Sequence, residues 1–221
     1  MPVSSIRARI GDLVRAAEPC TVASVSGCAS RDYSVASRPD EELVEFHVRR
    51  VPEGTTSQLI WARASIGDRV AIEGPLGSAL LREKHSGQIL GIAGGSGLAP
   101  VKAVAEIAPP RAWASRFAFI SARVRNATLY LLDRFAALTG RHANLSFVTV
   151  MSEESAPGYV SDAVAADSAP SMAEKPILHG PPAMVDAAGP MLIKRGLCAT
   201  DVHVHVFYTP DHGERPTVTH P

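Results

Sequence analysis

The chain has 221 residues, enough for two small domains that each bury a core of their own. Lysine plus arginine and aspartate plus glutamate number 22 each, so the formal net charge is zero and no basic stripe points to nucleic acid. The longest apolar runs fall short of the roughly 20 residues needed to cross a bilayer, and no uninterrupted apolar signal core opens the sequence, which therefore reads as that of a cytoplasmic protein.

Up to about residue 84 the chain consists of short alternating or apolar segments separated by turn residues, the pattern of antiparallel strands. Strands are expected at 5–10, 20–25, 31–36, 43–51 and 69–73, with a short helix over 56–63, a set that suits a small barrel. After Lys84 the character changes. Apolar runs at 89–93, 116–121, 145–150, 176–178 and 202–208 alternate with helical patterns at 101–107, 129–138 and 183–195, and this βαβ rhythm predicts a parallel sheet. The expected fold class is thus β followed by α/β, divided into 1–86 and 87–208. The tail over 209–221, with three prolines and few apolar residues, is expected to be disordered. Segments 152–157 and 168–175 read as loops.

Cys20, Cys28 and Cys198 are scattered, which builds neither a disulfide framework nor a close-spaced metal site. His203 and His205 alternate along one expected strand, so both rings fall on one face as a zinc pair would. No third ligand is evident nearby, and a half-exposed terminal strand explains them as well. No metal is expected.

The most informative stretch is Ile89–Val101, an apolar run that breaks into Gly94-Gly95-Ser96-Gly97 and resumes as a helix with Pro100 in its first turn. Glycines at the end of a buried strand let a ligand approach the backbone, and the following helix turns its free N–H groups toward a phosphate. The spacing departs from the usual dinucleotide fingerprint, because the third small position holds Pro100.

Two further segments flank this loop in fixed order: Arg31-Asp32-Tyr33-Ser34 before it and His179-Gly180-Pro181-Pro182 after it. Together the three resemble the signatures of the ferredoxin–NADP reductase superfamily: Arg-x-Tyr-Ser for flavin, Gly-Gly-Thr-Gly-x-x-Pro for the pyridine nucleotide, and Cys-Gly-Pro-Pro near the C-terminus. Within it, Glu45–Pro52 and Gly74–Arg82 resemble the reductase components of naphthalene-type aromatic-ring dioxygenases. The resemblance runs from about residue 20 to Tyr208.

It implies an antiparallel FAD-binding barrel followed by an NAD(P)-binding α/β domain, with FAD and NAD(P)H as cofactors. The implied partner is a ferredoxin, or another two-iron acceptor, on a separate chain. By this resemblance Arg31 and Tyr33 supply a positive fork and a flat ring to the flavin, Ser34 a hydrogen bond to its ring, and Gly54-Thr55-Thr56-Ser57 a turn around its pyrophosphate. His47, Val48 and Arg49 line the same cofactor. Gly94, Gly95, Ser96, Gly97 and Pro100 approach the nicotinamide and its phosphates, with Gly180 and Pro181 across from them. Arg125, with Arg123 as its rival, meets the adenosine end. Ser34, Ser96, His179 and Phe207 surround the site of hydride transfer, with Tyr208 beside them. Each residue also has an ordinary reading: an edge-strand arginine, a packed tyrosine, a helix N-cap serine, a solvated surface arginine or a core aromatic.

Three departures from the pattern carry expectations. His179 stands where the family has cysteine and puts a larger, titratable ring beside the hydride path. The N-terminal half matches the family from its second strand onward, so an unpaired strand edge is expected. The four cysteines of a plant-type ferredoxin domain are absent, so an iron–sulfur centre would lie on another polypeptide or on a longer form of this chain. Alternatives to the ferredoxin-reductase function are a free-flavin or diaphorase-type reductase, and a shortened homologue that holds FAD weakly.

Overall fold

The computed structural model describes residues 3–9, 20–25, 31–73, 89–107, 120–123, 130–151 and 175–208. The first run of elements is β1 (Val3–Arg9), β2 (Cys20–Val25), β3 (Arg31–Ser34), β4 (Leu43–Arg49), α1 (Thr55–Arg63) and β5 (Val70–Glu73). The second is β6 (Ile89–Gly94), α2 (Leu98–Ile107), β7 (Ile120–Arg123), α3 (Leu132–Arg141), β8 (Thr149–Met151), β9 (Lys175–Gly180), α4 (Pro182–Lys194) and β10 (His203–Val206), with short 3-10 turns at Gly95–Gly97 and Ala199–Asp201.

Every described ladder of the first run is antiparallel. β1 pairs with β4 from Val3 opposite Arg49 to Arg9 opposite Leu43, and β2 lies between β3 and β5. A bridge between Val35 and Phe46, with the Ala36 N–H donated to the Glu45 carbonyl at 2.7 Å, stitches the end of β3 to β4. The strand series is therefore β1-β4-β3-β2-β5.

The second run forms a five-stranded parallel sheet in the order β10-β9-β6-β7-β8. Its central strand is β6, and all six residues of Ile89–Gly94 are buried, as a strand covered on both faces requires. Alternation divides them between two cores. Ile89 and Ala93 pack with Leu98, Val101, Val104 and Phe135 of α2 and α3; Leu90 and Ile92 pack with Met184, Val185, Ala188 and Leu192 of α4 on the other face. Each fully buried aliphatic or phenyl side chain contributes about 1.5–3 kcal/mol, and Ile92, Leu98, Phe135, Leu178 and Leu192 are all at 0% exposure.

Several elements differ from the expected bounds, and α2 already starts at Leu98. α3 starts at Leu132 because Leu131 takes a left-handed backbone (φ 65°) at its N-cap, at a cost of about 1–2 kcal/mol for a non-glycine residue. β7 is described over Ile120–Arg123, the expected 116–119 lying outside the described residues, and β8 runs over Thr149–Met151, while Leu145 is buried in the core ahead of the strand. The expected division at 86/87, the loop at 152–157, most of that at 168–175 and the tail lie outside the described residues. No helix among the described residues is long and apolar enough to cross a membrane.

The sheet order decides where a ligand can enter. From β6 the chain runs to β7 and β8 on one side, then returns to place β9 and β10 on the other. The C-terminal ends of β6 and β9 thus mark a topological switch point, where the following loops leave a crevice. The Gly95–Gly97 turn and the Gly180-Pro181 turn stand there.

Candidate functional site

A cleft of about 270 Å³ opens at this crevice, with walls from both halves of the chain. β3 supplies Arg31, Asp32, Tyr33 and Ser34; β4 and its exit supply His47, Arg49, Val51 and Glu53; the start of α1 supplies Gly54, Thr55, Thr56 and Ser57. The parallel-sheet half contributes Ser96, Ala99, Phe207 and Tyr208. Among the residues singled out in the sequence, Arg31, Tyr33, Ser34, His47, Arg49, Gly54, Thr56, Ser57, Ser96, Phe207 and Tyr208 meet here.

The chemistry of this lining suits a large ligand with an anionic centre. α1 begins at Gly54 with no side chain capping it and no acidic residue in its first turn, so its N-terminal dipole faces the cleft beside Arg31 and Arg49. A Cβ on Gly54 would come within 2.6 Å of Ser57 Oγ, which explains the glycine. The Ser57 hydroxyl accepts the Val51 N–H at 3.2 Å and donates to the Gly54 carbonyl at 3.4 Å; it holds the turn closed. Val48, by contrast, does not line the cleft: it is 1% exposed, and its carbonyl accepts the Trp61 indole N–H at 3.2 Å.

The glycines of the nucleotide loop divide into two kinds. A Cβ on Gly97 would lie 2.1 Å from the His179 carbonyl oxygen; one on Gly94 would strike Pro181 and Met184; one on Gly180 would meet Met184 and the Gly94 nitrogen. These three let the end of β6 press against the end of β9, which is a packing requirement. Gly95 differs, with φ +58° and open space where a Cβ would stand, so its left-handed backbone and not packing calls for glycine there. Pro100 is buried in the first turn of α2, where its missing N–H costs no helical hydrogen bond.

The titratable ring of His179 is shielded from water. It is fully buried, neither ring nitrogen has a hydrogen-bond partner, and the ring packs edge-on to His205 at 5.7 Å and tilted to Phe207 at 6.3 Å. Burial, and secondarily the charge His205 can carry, hold its pKa well below the usual imidazole value, so the ring is neutral near pH 7. His205 Nδ1 lies 3.4 Å from Ser34 Oγ, which links the last strand to β3. His203 and His205 do share a face of β10, but no group of three or more potential metal ligands exists among the described residues. Phe207 donates its N–H to the Gly180 carbonyl at 2.8 Å, which carries the β9–β10 pairing to the mouth of the cleft. Cys198 is exposed, with its sulfur 3.0 Å from the Thr200 hydroxyl, and lies outside the cleft lining. Arg125 and Cys28 lie outside the described residues; Arg123 ends β7 and Cys20 opens β2.

Sequence reasoning missed a buried polar chain behind the cleft. Lys102 of α2 donates to the Ala36 carbonyl at 2.9 Å and to Glu45 Oε2 at 3.2 Å; Glu45 Oε1 lies 3.3 Å from His47 Nε2. The Tyr130 hydroxyl stands 3.3 Å from His47 Nδ1 and donates to the Ser96 carbonyl at 3.4 Å. Burial, and then the nearby Glu45 charge, push the Tyr130 phenol above its ordinary pKa, so it remains a donor. A lysine flanked by valine and alanine in an apolar helix, Val101-Lys102-Ala103, was the available signal for a buried cation.

Comparison with known proteins agrees with both halves. Residues 4–80 match the oxidoreductase FAD-binding domain and residues 92–189 the oxidoreductase NAD-binding domain. The reductase component of the naphthalene 1,2-dioxygenase system of Pseudomonas putida is 30% identical over 184 residues, which are 81% of this chain and 56% of that protein. The reductase subunit of an aromatic O-demethylase of Amycolatopsis sp. is 38% identical over 189 residues, with the same shares. Among solved structures, a cytochrome P450 reductase of Amycolatopsis superposes with a TM-score of 0.80 at 31% identity, over 93% of this chain and 65% of that one. The chain spans about half the length of the curated relatives it matches. With an antiparallel FAD-binding half, a parallel NAD-binding half and a cleft lined from both, the chain belongs to the ferredoxin reductase superfamily of FAD- and NAD(P)H-binding oxidoreductases.

Proposed function

We propose that this protein is an NAD(P)H:ferredoxin oxidoreductase that serves an aromatic-ring dioxygenase system, with its FAD-binding domain over 1–86 and its NAD(P)-binding domain over 87–208. The observation that carries this reading is the single cleft in which the Arg31–Ser34 strand faces Ser96 and Phe207. Bound FAD supplies the conversion of a hydride from NAD(P)H into single electrons.

The protein's part is placement. Arg31, Arg49 and the uncapped start of α1 offset the charge of a dinucleotide's pyrophosphate. Tyr33 offers a flat ring and Ser34 a hydroxyl to the isoalloxazine. Gly95 leaves backbone space for the nicotinamide, and Ser96 keeps a hydroxyl where the family has threonine. Phe207 and Tyr208 line the cleft from the parallel-sheet half and would shield part of a bound ring from water. No general base is needed, and none of these residues has to move a proton for hydride to pass.

The electron acceptor is read as a two-iron ferredoxin on a separate chain, by likeness to the naphthalene-system component. Purified protein should show an oxidised-flavin spectrum that bleaches on addition of NADH or NADPH; a colourless protein that gains nothing from added FAD would overturn the reading. Cytochrome reduction that requires added ferredoxin supports the proposed acceptor, whereas equal activity with free flavin alone would make the protein a diaphorase-type reductase.

A further inference from the structure

We propose that Lys102 is a positioning residue that clamps the Gly95–Gly97 loop to the flavin-side strand β4, an inference that rests on the functional reading above. Both described apolar clusters lie wholly within the second half of the chain, so neither fixes that half against the first. The ammonium of Lys102 does cross over. Lys102 is only 6% exposed and finds its acceptors on the other half, the Ala36 carbonyl at 2.9 Å and Glu45 Oε2 at 3.2 Å. On its own side it has Glu106 Oε2 at 3.8 Å, a carboxylate that also accepts from Arg134 at 2.6 Å.

A second tie reaches the same strand. Tyr130 joins the Ser96 carbonyl to His47 Nδ1, and His47 in turn faces Glu45 through Nε2. The loop is therefore held to β4 at Ser96 itself and, through the rigid first turn of α2, one turn further on. A buried ion pair adds little net stability, because desolvation consumes most of its Coulomb energy. Its geometric consequence is larger: a hydrophobic contact tolerates sliding, while a buried ammonium has few arrangements that satisfy its donors. Hydride transfer is sensitive to displacements on the order of 1 Å, so this clamp sets the spacing that the transfer step needs. Leu131, in its left-handed conformation directly after Tyr130, indicates that the packing here holds Tyr130 in place against a local backbone cost.

The full chain should be compared with Lys102→Met and with Glu45→Gln/Lys102→Met, the latter removing the buried Glu45 charge together with its ammonium partner in case the single variant folds poorly. Two readouts decide. By amide hydrogen exchange, with or without cofactor, both variants should lose protection at residues 95–97 while the centre of β6 keeps it. By anaerobic stopped flow, flavin bleaching at saturating NAD(P)H should slow by about tenfold or more, with FAD content unchanged and half-saturation altered by less than about twofold. Wild-type exchange in the double variant, or a wild-type bleaching rate at full FAD content, would overturn the inference. A loss confined to FAD content would do the same. If the wild-type protein itself fails to bleach, the functional reading falls while the exchange result still decides the clamp.

Discussion

His179 gives the sharpest quantitative test. Its ring is fully buried with both nitrogens unpartnered, and the groups facing it are His205 and Phe207 from the last strand and the glycine loop at its carbonyl. The folded state therefore resists protonation of this ring, while the unfolded chain protonates it near the ordinary pKa of about 6.5. The sign follows from proton counting. Below pH 6.5 the unfolded state binds the extra proton and the folded state does not, so stability is full above that pH and falls as the medium is acidified. Between pH 7.5 and 5.5 one such group costs up to about 1.4 kcal/mol, a tenfold change in the folding constant when the folded ring stays unprotonated. Substituting His179→Leu removes the titration and also a buried polar ring whose unmet hydrogen bonds cost about 1–3 kcal/mol. Urea unfolding at the two pH values should show the wild type losing up to about 1.4 kcal/mol more than the variant. Parallel losses in the two proteins would show that the ring is solvated or paired, and would refute the reasoning.

Arg31→Ala and Arg49→Ala should each weaken FAD retention by about tenfold or more, since a hydrogen bond to a charged group contributes about 1.5–3 kcal/mol; fluorescence titration of released flavin measures this. Gly97→Ala should lower the melting temperature sharply, because its Cβ would lie 2.1 Å from the His179 carbonyl oxygen. Gly95→Ala should cost only about 1 kcal/mol of stability, from its left-handed backbone, yet raise the half-saturating NAD(P)H concentration; thermal melts and steady-state kinetics separate the two glycines. Lys102→Met should cost about 3–5 kcal/mol in urea unfolding because the buried Glu45 carboxylate loses its ammonium partner, with most of that recovered in Glu45→Gln/Lys102→Met.

The legible parts of the fold were those set by period and punctuation. An apolar run that stops at a glycine turn reads as a buried strand, expected at 89–93, and Ile89–Gly94 is the central strand of the parallel sheet. The α3 boundary was not legible, because Leu131 adopts a backbone that no local propensity favours and that neighbouring packing imposes. The cleft was legible as a set of letters in order, from Arg31-x-Tyr33-Ser34 to Phe207, but the work each letter does was not. Gly94, Gly97 and Gly180 look identical to Gly95 in sequence. Only the folded chain shows that the first three serve strand-end packing and the last a left-handed backbone.

The same limit hid Lys102, Glu45 and Tyr130. Lys102 and Glu45 are separated by 57 residues, and Tyr130 and its partner His47 by 83, so nothing local names a partner that lies so far away in the chain. A motif names the residues that meet a cofactor, because the cofactor fixes their chemistry. The residues that hold two halves in register answer to each other instead, so a compensating change in the partner removes any fixed signature from either position. The charge pattern in this chain therefore carries information that its motifs do not: a lysine amid the apolar residues of α2 predicts a buried acceptor elsewhere, and Glu45 is that acceptor.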